Sequence, residues 1–242
     1  NGYYNQTENM VKMCLMVITS LCTVMLPRMS KLFAEGDKAQ FNYYLKKSYS
    51  FALFLSIPMC LGLIGIATTF VPIFFGPGYD RSIILMYILA PIIIAISLSS
   101  ITGNQLLLPS FLQKEYNLSV IIGAFVNLII NLILIPRLFS VGAAVGTLIA
   151  ETTVTIVQFI ICKKKGVLKL KTVFSGAAKY CIAGIAMLTV ILEIKRILPV
   201  NVLGLLVLIG IGGFVYLGAL ILMRDRLVLD VLKQIRYRLM RN

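Results

Sequence analysis

The 242-residue chain contains no histidine, and its five cysteines (Cys14, Cys22, Cys60, Cys162 and Cys181) form no CxxC pair. Zinc and haem sites of the usual kinds therefore lack their donors, and neither a metal site nor a cofactor is expected. The cysteines fall in or at the ends of apolar stretches, where they read as small packing residues. Charge is also scarce. Asp, Glu, Lys and Arg make up 13% of the chain, about half the share of a soluble domain. No paired-acid signature and no Walker-type loop is present. The chain is accordingly not expected to be an enzyme. No signal peptide is visible, and the first residue is Asn1 rather than Met. The chain reads as the C-terminal part of something longer.

What fills the sequence instead is apolar: 59% of its residues are hydrophobic. A helix needs about 20 apolar residues to cross a ~30 Å hydrocarbon core. Seven stretches meet that length: Met10–Leu26, Tyr49–Phe75, Ser82–Gly103, Leu118–Ile135, Val141–Cys162, Gly176–Ile194 and Val202–Met223. Most have no polar face, which a water-exposed helix requires. The expected fold is all-α, a polytopic membrane helical bundle of about seven transmembrane helices. Gly76-Pro77-Gly78 predicts a tight turn, and Pro136 and Pro199 lie near span ends. Pro58, Pro72 and Pro91 fall within spans, where each removes a backbone donor and favours a kink.

The net charge of +14 does not point to nucleic acid, because the positive residues sit in alternate connections. Arg28, Lys31, Lys38, Lys46 and Lys47 follow the first span. Lys114 lies between the third and fourth. Lys163, Lys164, Lys165, Lys169 and Lys171 follow the fifth, with Lys179 just inside the next. The tail holds Arg224, Arg226, Lys233, Arg236, Arg238 and Arg241. The opposite side has only Arg81, Arg137, Lys195 and Arg196. By the positive-inside rule the rich side is cytoplasmic, which makes Asn1 external and Asn242 cytoplasmic. Two basic segments look amphipathic. In one, Asp37–Ser48, Asp37 is a plausible N-cap and Phe41, Tyr44 and Leu45 share a face. In the tail, Val228, Val231, Leu232, Ile235 and Leu239 have helical spacing. Both are expected in the headgroup layer, in contact with anionic lipids.

Polar residues inside the spans form stripes. Thr147, Glu151, Thr155 and Gln158 share one helical face, and Ser119, Gly123, Asn127 and Asn131 recur every four residues in the preceding span. The Asn and Thr residues read either as interhelical hydrogen-bonding glue or as cavity walls. For Glu151 the cost of a mid-span charge, ~2.5–3.5 kcal/mol on insertion scales, favours a cavity or a partner. A proton relay and a permanently protonated structural Glu are the two readings. Lys12 either snorkels to the outer interface or lines an internal cavity where it meets a phosphate. Arg28 has the same two readings, and Lys179 is expected to snorkel to the cytoplasmic surface.

These residues carry a family likeness. The stretches FGPGYDRSIILMYILAP and GNQLLLPSFLQKEYNLSVIIGAFVNLIINLILIPRLFSVGAAVGTLIAE resemble the C-terminal lobe of Wzx-type polysaccharide flippases. These belong to the multidrug/oligosaccharidyl-lipid/polysaccharide exporter superfamily. GYYNQTENMVKMCLMVITSLCTVMLPRMSKLFAEGD resembles their eighth helix with its flanks. The resemblance covers roughly residues 2–162, and the last two spans match helices thirteen and fourteen more loosely. It implies a two-lobe, alternating-access transporter around a central, often cationic cavity. Its cargo would be an undecaprenyl-pyrophosphate-linked oligosaccharide, flipped across the bacterial cytoplasmic membrane for capsule, O-antigen or exopolysaccharide synthesis. Flipping would be coupled to a proton or sodium gradient, as in an antiporter.

On this reading residues 1–162 supply five spans of the C-terminal lobe, 163–223 two additional helices, and 224–242 a basic cytoplasmic tail. The absent N-terminal lobe would be the main partner, and the fragment alone would not transport. Lys12, Gln105, Asn127, Asn131, Thr147 and Thr155 are candidates for the cavity, and Glu151 for ion coupling. Other exporters of the superfamily, for drugs or for a peptidoglycan precursor, remain open as alternatives. So do a membrane polymerase or glycosyltransferase of the same pathway and a non-catalytic scaffold.

Overall fold

A computed structural model describes residues 2–76 and 78–230. Among the described residues seven helices are long and apolar enough to cross a membrane. The protein is a multi-pass membrane protein with an all-helical fold. The first span is α1 (Gly2–Ala34) and the second α2 (Lys38–Phe75). The third is assembled from α3 (Asp80–Leu89), α4 (Ile92–Ile101) and a wider π turn at Thr102–Leu107. An antiparallel pair, α5 (Gln113–Leu138) and α6 (Ser140–Lys164), follows. A single turn, α7 (Leu170–Val173), leads to α8 (Ala177–Ile194) and α9 (Val202–Leu222).

Helix ends follow capping and hydrogen bonding rather than hydropathy. The Asp37 side chain accepts from Gln40 N at 3.0 Å and starts α2. The segment expected in the headgroup layer is therefore the first turns of a spanning helix. Its Phe41 and Leu45 are buried against protein rather than lying on lipid. Proline acts unequally. Pro91 separates α3 from α4, whereas α2 runs unbroken through Pro58 and Pro72. The expected tail helix falls mostly on residues outside those described, as does Pro77 of the expected turn.

Helix α2 forms the middle of the bundle and packs against α1, α3, α4, α8 and α9. Buried Tyr49 bonds Thr102 Oγ1 at 2.8 Å, tying α2 to the π turn. Tyr216 of α9 donates to the Phe54 carbonyl at 2.9 Å. At Gly184 a Cβ would lie 2.8 Å from Leu61 of α2, so a small residue sets the α2–α8 approach. Half-buried Lys179 turns to the end of the bundle where α9 finishes, and finds a partner there. Its Nζ donates to the Met223 carbonyl at 3.0 Å, capping the C-terminal end of α9, where the helix dipole favours a cation.

Successive spans alternate in direction, which sorts the connections to two ends. Tyr3 and Tyr79 meet at one end, with ring centroids 4.9 Å apart. Phe33, Phe41 and Phe111 meet at the other. The second end carries the lysine-rich connections, and there Lys165 pairs with Glu115 at 2.9 Å. Arg28 donates to the Tyr44 hydroxyl at that end, with its guanidinium carbon 3.9 Å from the ring centroid.

Candidate functional site

The polar residues of α5 and α6 serve three different purposes. Some close the seam between those helices. Asn131, held within α5 by a 2.7 Å bond from its Nδ2 to Asn127 Oδ1, packs across the seam on Gly146, where a Cβ would strike its side chain; its Oδ1 is buried without a partner. Gly142 sits so close to α5 that a Cβ there would lie 2.5 Å from the Leu134 carbonyl oxygen. Others bind neighbouring helices. Thr155 donates to the Ala95 carbonyl of α4 at 2.9 Å. Thr147 meets the Tyr4 hydroxyl of α1 at 2.8 Å. The third purpose is to line a cavity.

That cavity, of about 520 Å³, lies between α4, the π turn, α5 and α6. Its polar wall comprises Ser99, Ser100, Asn104, Asn127, Glu151 and Gln158. Gln158 is buried; its Nε2 donates to Ser119 Oγ at 3.3 Å while its Oε1 has no partner. An unpaired buried amide oxygen is costly unless something donates to it. Rich in acceptors and holding one carboxylate, the cavity suits a hydroxyl-bearing ligand, a cation or ordered water.

Lys12 approaches from α1. It turns back one helical turn and pairs with Glu8 at 2.9 Å. Lys12 and Glu8 are also the charged groups that act electrostatically on Glu151. Of the residues singled out in the sequence, Asn127 and Glu151 thus share the cavity wall, with Lys12 acting from the side. Asn131, Thr147 and Thr155 sit in helix seams. Gln105 lies apart, fully buried in the π turn with both amide atoms unpaired.

Sequence reasoning missed Glu8, Tyr4, Ser99, Ser100 and Asn104. The signal for the first two was present: Tyr4, Glu8 and Lys12 are spaced i, i+4, i+8. Ser100 and Asn104 are likewise spaced i, i+4, whereas Ser99 carried no such signal. Among the described residues no cluster of His, Cys, Asp or Glu is arranged to hold a metal ion.

A second cavity, of about 560 Å³, opens at the lysine-rich end. Lys38, Lys169, Asn42 and Thr172 line it beside Leu32, Phe33 and Phe41. It is cationic at the rim and apolar within.

Among the described residues, seven helices long and apolar enough to cross a membrane, with a polar cavity between three of the spans, define the class, a polytopic helical membrane protein. The chain belongs to the family described as lipid II flippase MurJ, whose model matches residues 3–212. The match runs past the 2–162 stretch that carries the sequence likeness and takes in α8 and part of α9. A Bacillus subtilis (strain 168) protein named lipid II flippase MurJ is 25% identical over 164 residues, 64% of this chain and 29% of its own length. An Escherichia coli (strain K12) protein assigned as an O-antigen transporter is 33% identical over 105 residues, 40% of this chain and 25% of its own. The fold matches a solved structure of lipid II flippase MurJ in an inward closed conformation. The TM-score is 0.74 at 21% identity, covering 93% of this chain and 47% of that one. The exporter-superfamily likeness read from the sequence therefore holds. The chain spans about a quarter to a third of the curated relatives it matches.

Proposed function

We propose that this chain forms one lobe of an alternating-access carrier that flips an undecaprenyl-pyrophosphate-linked saccharide across the bacterial cytoplasmic membrane. The reading is carried by the cavity between α4, α5 and α6. Hydrocarbon gives no reason to gather Ser99, Asn104, Asn127, Glu151 and Gln158 around a void. A saccharide headgroup crossing the bilayer needs such a surface, and rocking of two lobes exposes it to each side in turn. A second lobe of like build supplies the opposite wall. The lysine-rich end faces the cytoplasm, where the cavity at Lys38 and Lys169 takes acidic lipid headgroups. Asn1 then lies outside. Glu151 carries the coupling cation.

Two cargoes fit this chemistry. The relative named for O-antigen transport favours a polymer repeat unit, and the family model favours lipid II. The deciding experiment reconstitutes the full-length protein in liposomes with either lipid and follows its appearance in the outer leaflet. Saccharide flipping is expected for one cargo and lost in Glu151→Gln, with protein levels unchanged. Flipping that is equally fast in Glu151→Gln removes the coupling role. No flipping of either cargo removes the carrier reading.

A further inference from the structure

Helices α1 and α6 run parallel. Both start at the end marked by Tyr3 and Tyr79 and finish beside the cavity at Lys38, where Leu32 and Phe33 of α1 lie near Gly166. The Tyr4–Thr147 hydrogen bond of 2.8 Å fixes their register. Four residues further along each helix, about 6 Å of rise, come Glu8 on α1 and Glu151 on α6. The two carboxylates are therefore level on neighbouring helices. Lys12 is one turn beyond, beside the level of Thr155. It already holds Glu8 at 2.9 Å and acts on Glu151 as well.

The other elements packed on this seam add no further charge at that level. The nearest charges on α3 are Asp80 and Arg81 at its first turn, and α4 has none. On α5 the only charges, Lys114, Glu115 and Arg137, lie in its end turns. Two carboxylates thus share one ammonium. With all three ionised, one negative charge is left uncompensated at bilayer depth, which is unfavourable.

We propose that Glu8 is the missing member of the coupling site: Lys12 alternates between Glu8 and Glu151, and the carboxylate it leaves takes up a monovalent cation. The step is an exchange of counterions with no covalent change. When the ammonium neutralises Glu8, Glu151 holds a proton or a sodium ion. When the ammonium turns to Glu151, that cation is released and Glu8 accepts one in its place. Transfer of the cation from one carboxylate to the other follows the side chain of Lys12. This deepens the carrier reading and rests on it for its consequence in transport. Glu8 is thus a second cation-binding residue, and through Lys12 it sets the charge on Glu151.

The test titrates the carboxylic-acid infrared band of Glu151 in the purified full-length protein, the band being assigned by its loss in Glu151→Gln. In Glu8→Gln the ammonium has one carboxylate left, so the band's midpoint moves to lower pH. In Lys12→Met two carboxylates lack a cation, and the midpoint moves to higher pH. Glu8→Asp restores the wild-type midpoint. Should either single variant fail to fold, the charge-swapped pair Glu8→Lys with Lys12→Glu keeps the ion pair and sets the ammonium level with Glu151. Its midpoint moves lower.

A purely structural ion pair gives no shift, or loosens the seam and moves both single variants the same way. Either result overturns the proposal. Exchanging choline for sodium separates the cations: sodium competing for these carboxylates lowers the wild-type midpoint, and a proton-only site ignores it. Opposite shifts in a protein that flips neither cargo leave charge sharing standing and the carrier reading refuted. Glu151-dependent flipping with parallel shifts does the reverse.

Discussion

Helix α6 makes two seams built on opposite rules. Against α5 it presents Gly142, Gly146 and Val154, and the backbones close until a methyl group has no room. The amides there are neutral: Asn131 bonds Asn127 within α5 and packs on Gly146. Against α1 the contact is sparse, with one neutral bond, Tyr4–Thr147, and three charged groups, Glu8, Lys12 and Glu151, that share a single ion pair. One seam is a fixed joint. The other has groups left over for something that comes and goes. Polarity inside a membrane is therefore not one signal: neutral amides pack against glycine in one seam, and charges that outnumber their counterions gather at the other.

The sharpest way to break the fixed joint is at Gly142. In Gly142→Val the new side chain meets the Leu134 carbonyl and the Ile135 amide, both main-chain atoms that cannot swing aside. A loss of more than about 3 kcal/mol is expected, at or beyond the top of the usual range for overpacking. It would be read as a fall in folded yield and in the melting temperature in detergent. A normal melting temperature would mean that α5 and α6 do not approach as closely as described.

Asn131 gives a smaller effect of the same kind. Asn131→Ala removes a side-chain bond within α5, worth about 0.2–0.5 kcal/mol for an i, i+4 pair. It also leaves a small void beside Gly146. Thermal stability should drop slightly while flipping by the full-length protein persists. Complete loss of flipping with unchanged melting would move Asn131 from the joint to the passage, in line with its sequence-level candidacy as a cavity residue.

The sequence made most of the fold legible because apolar length is a strong signal. All seven expected spans have a counterpart among the described helices. Glu151 was legible too, since a carboxylate among Ala, Val and Ile stands out. Glu8 was not. Hydropathy ended the first span at Met10, but α1 continues to Gly2, because backbone bonding sets a helix end and side-chain polarity does not. Gln105 lies away from the cavity wall, buried in the π turn at Thr102–Leu107, where the chain carries an extra residue per turn and side chains depart from the 3.6-residue repeat. Lys179 shows that an apolar neighbourhood can hide a cap: its target, the Met223 carbonyl, is 44 positions away in sequence.

The smallest predicted effect bears most directly on the α1–α6 seam. Tyr4→Phe removes the one side-chain hydrogen bond that sets α1 against α6. Thr147 keeps its bond to the Ala143 carbonyl at 3.0 Å, so no buried hydroxyl is stranded. The loss in stability should stay below about 1 kcal/mol. A double-mutant cycle with Thr147→Val isolates it, and a coupling near zero would mean that the register between Glu8 and Glu151 is held by packing of Val11 and Leu15 instead. If the bond does set the register, Tyr4→Phe will blur the Glu151 titration without displacing its midpoint. The same two carboxylates and one ammonium remain, and only their relative level has become less well defined.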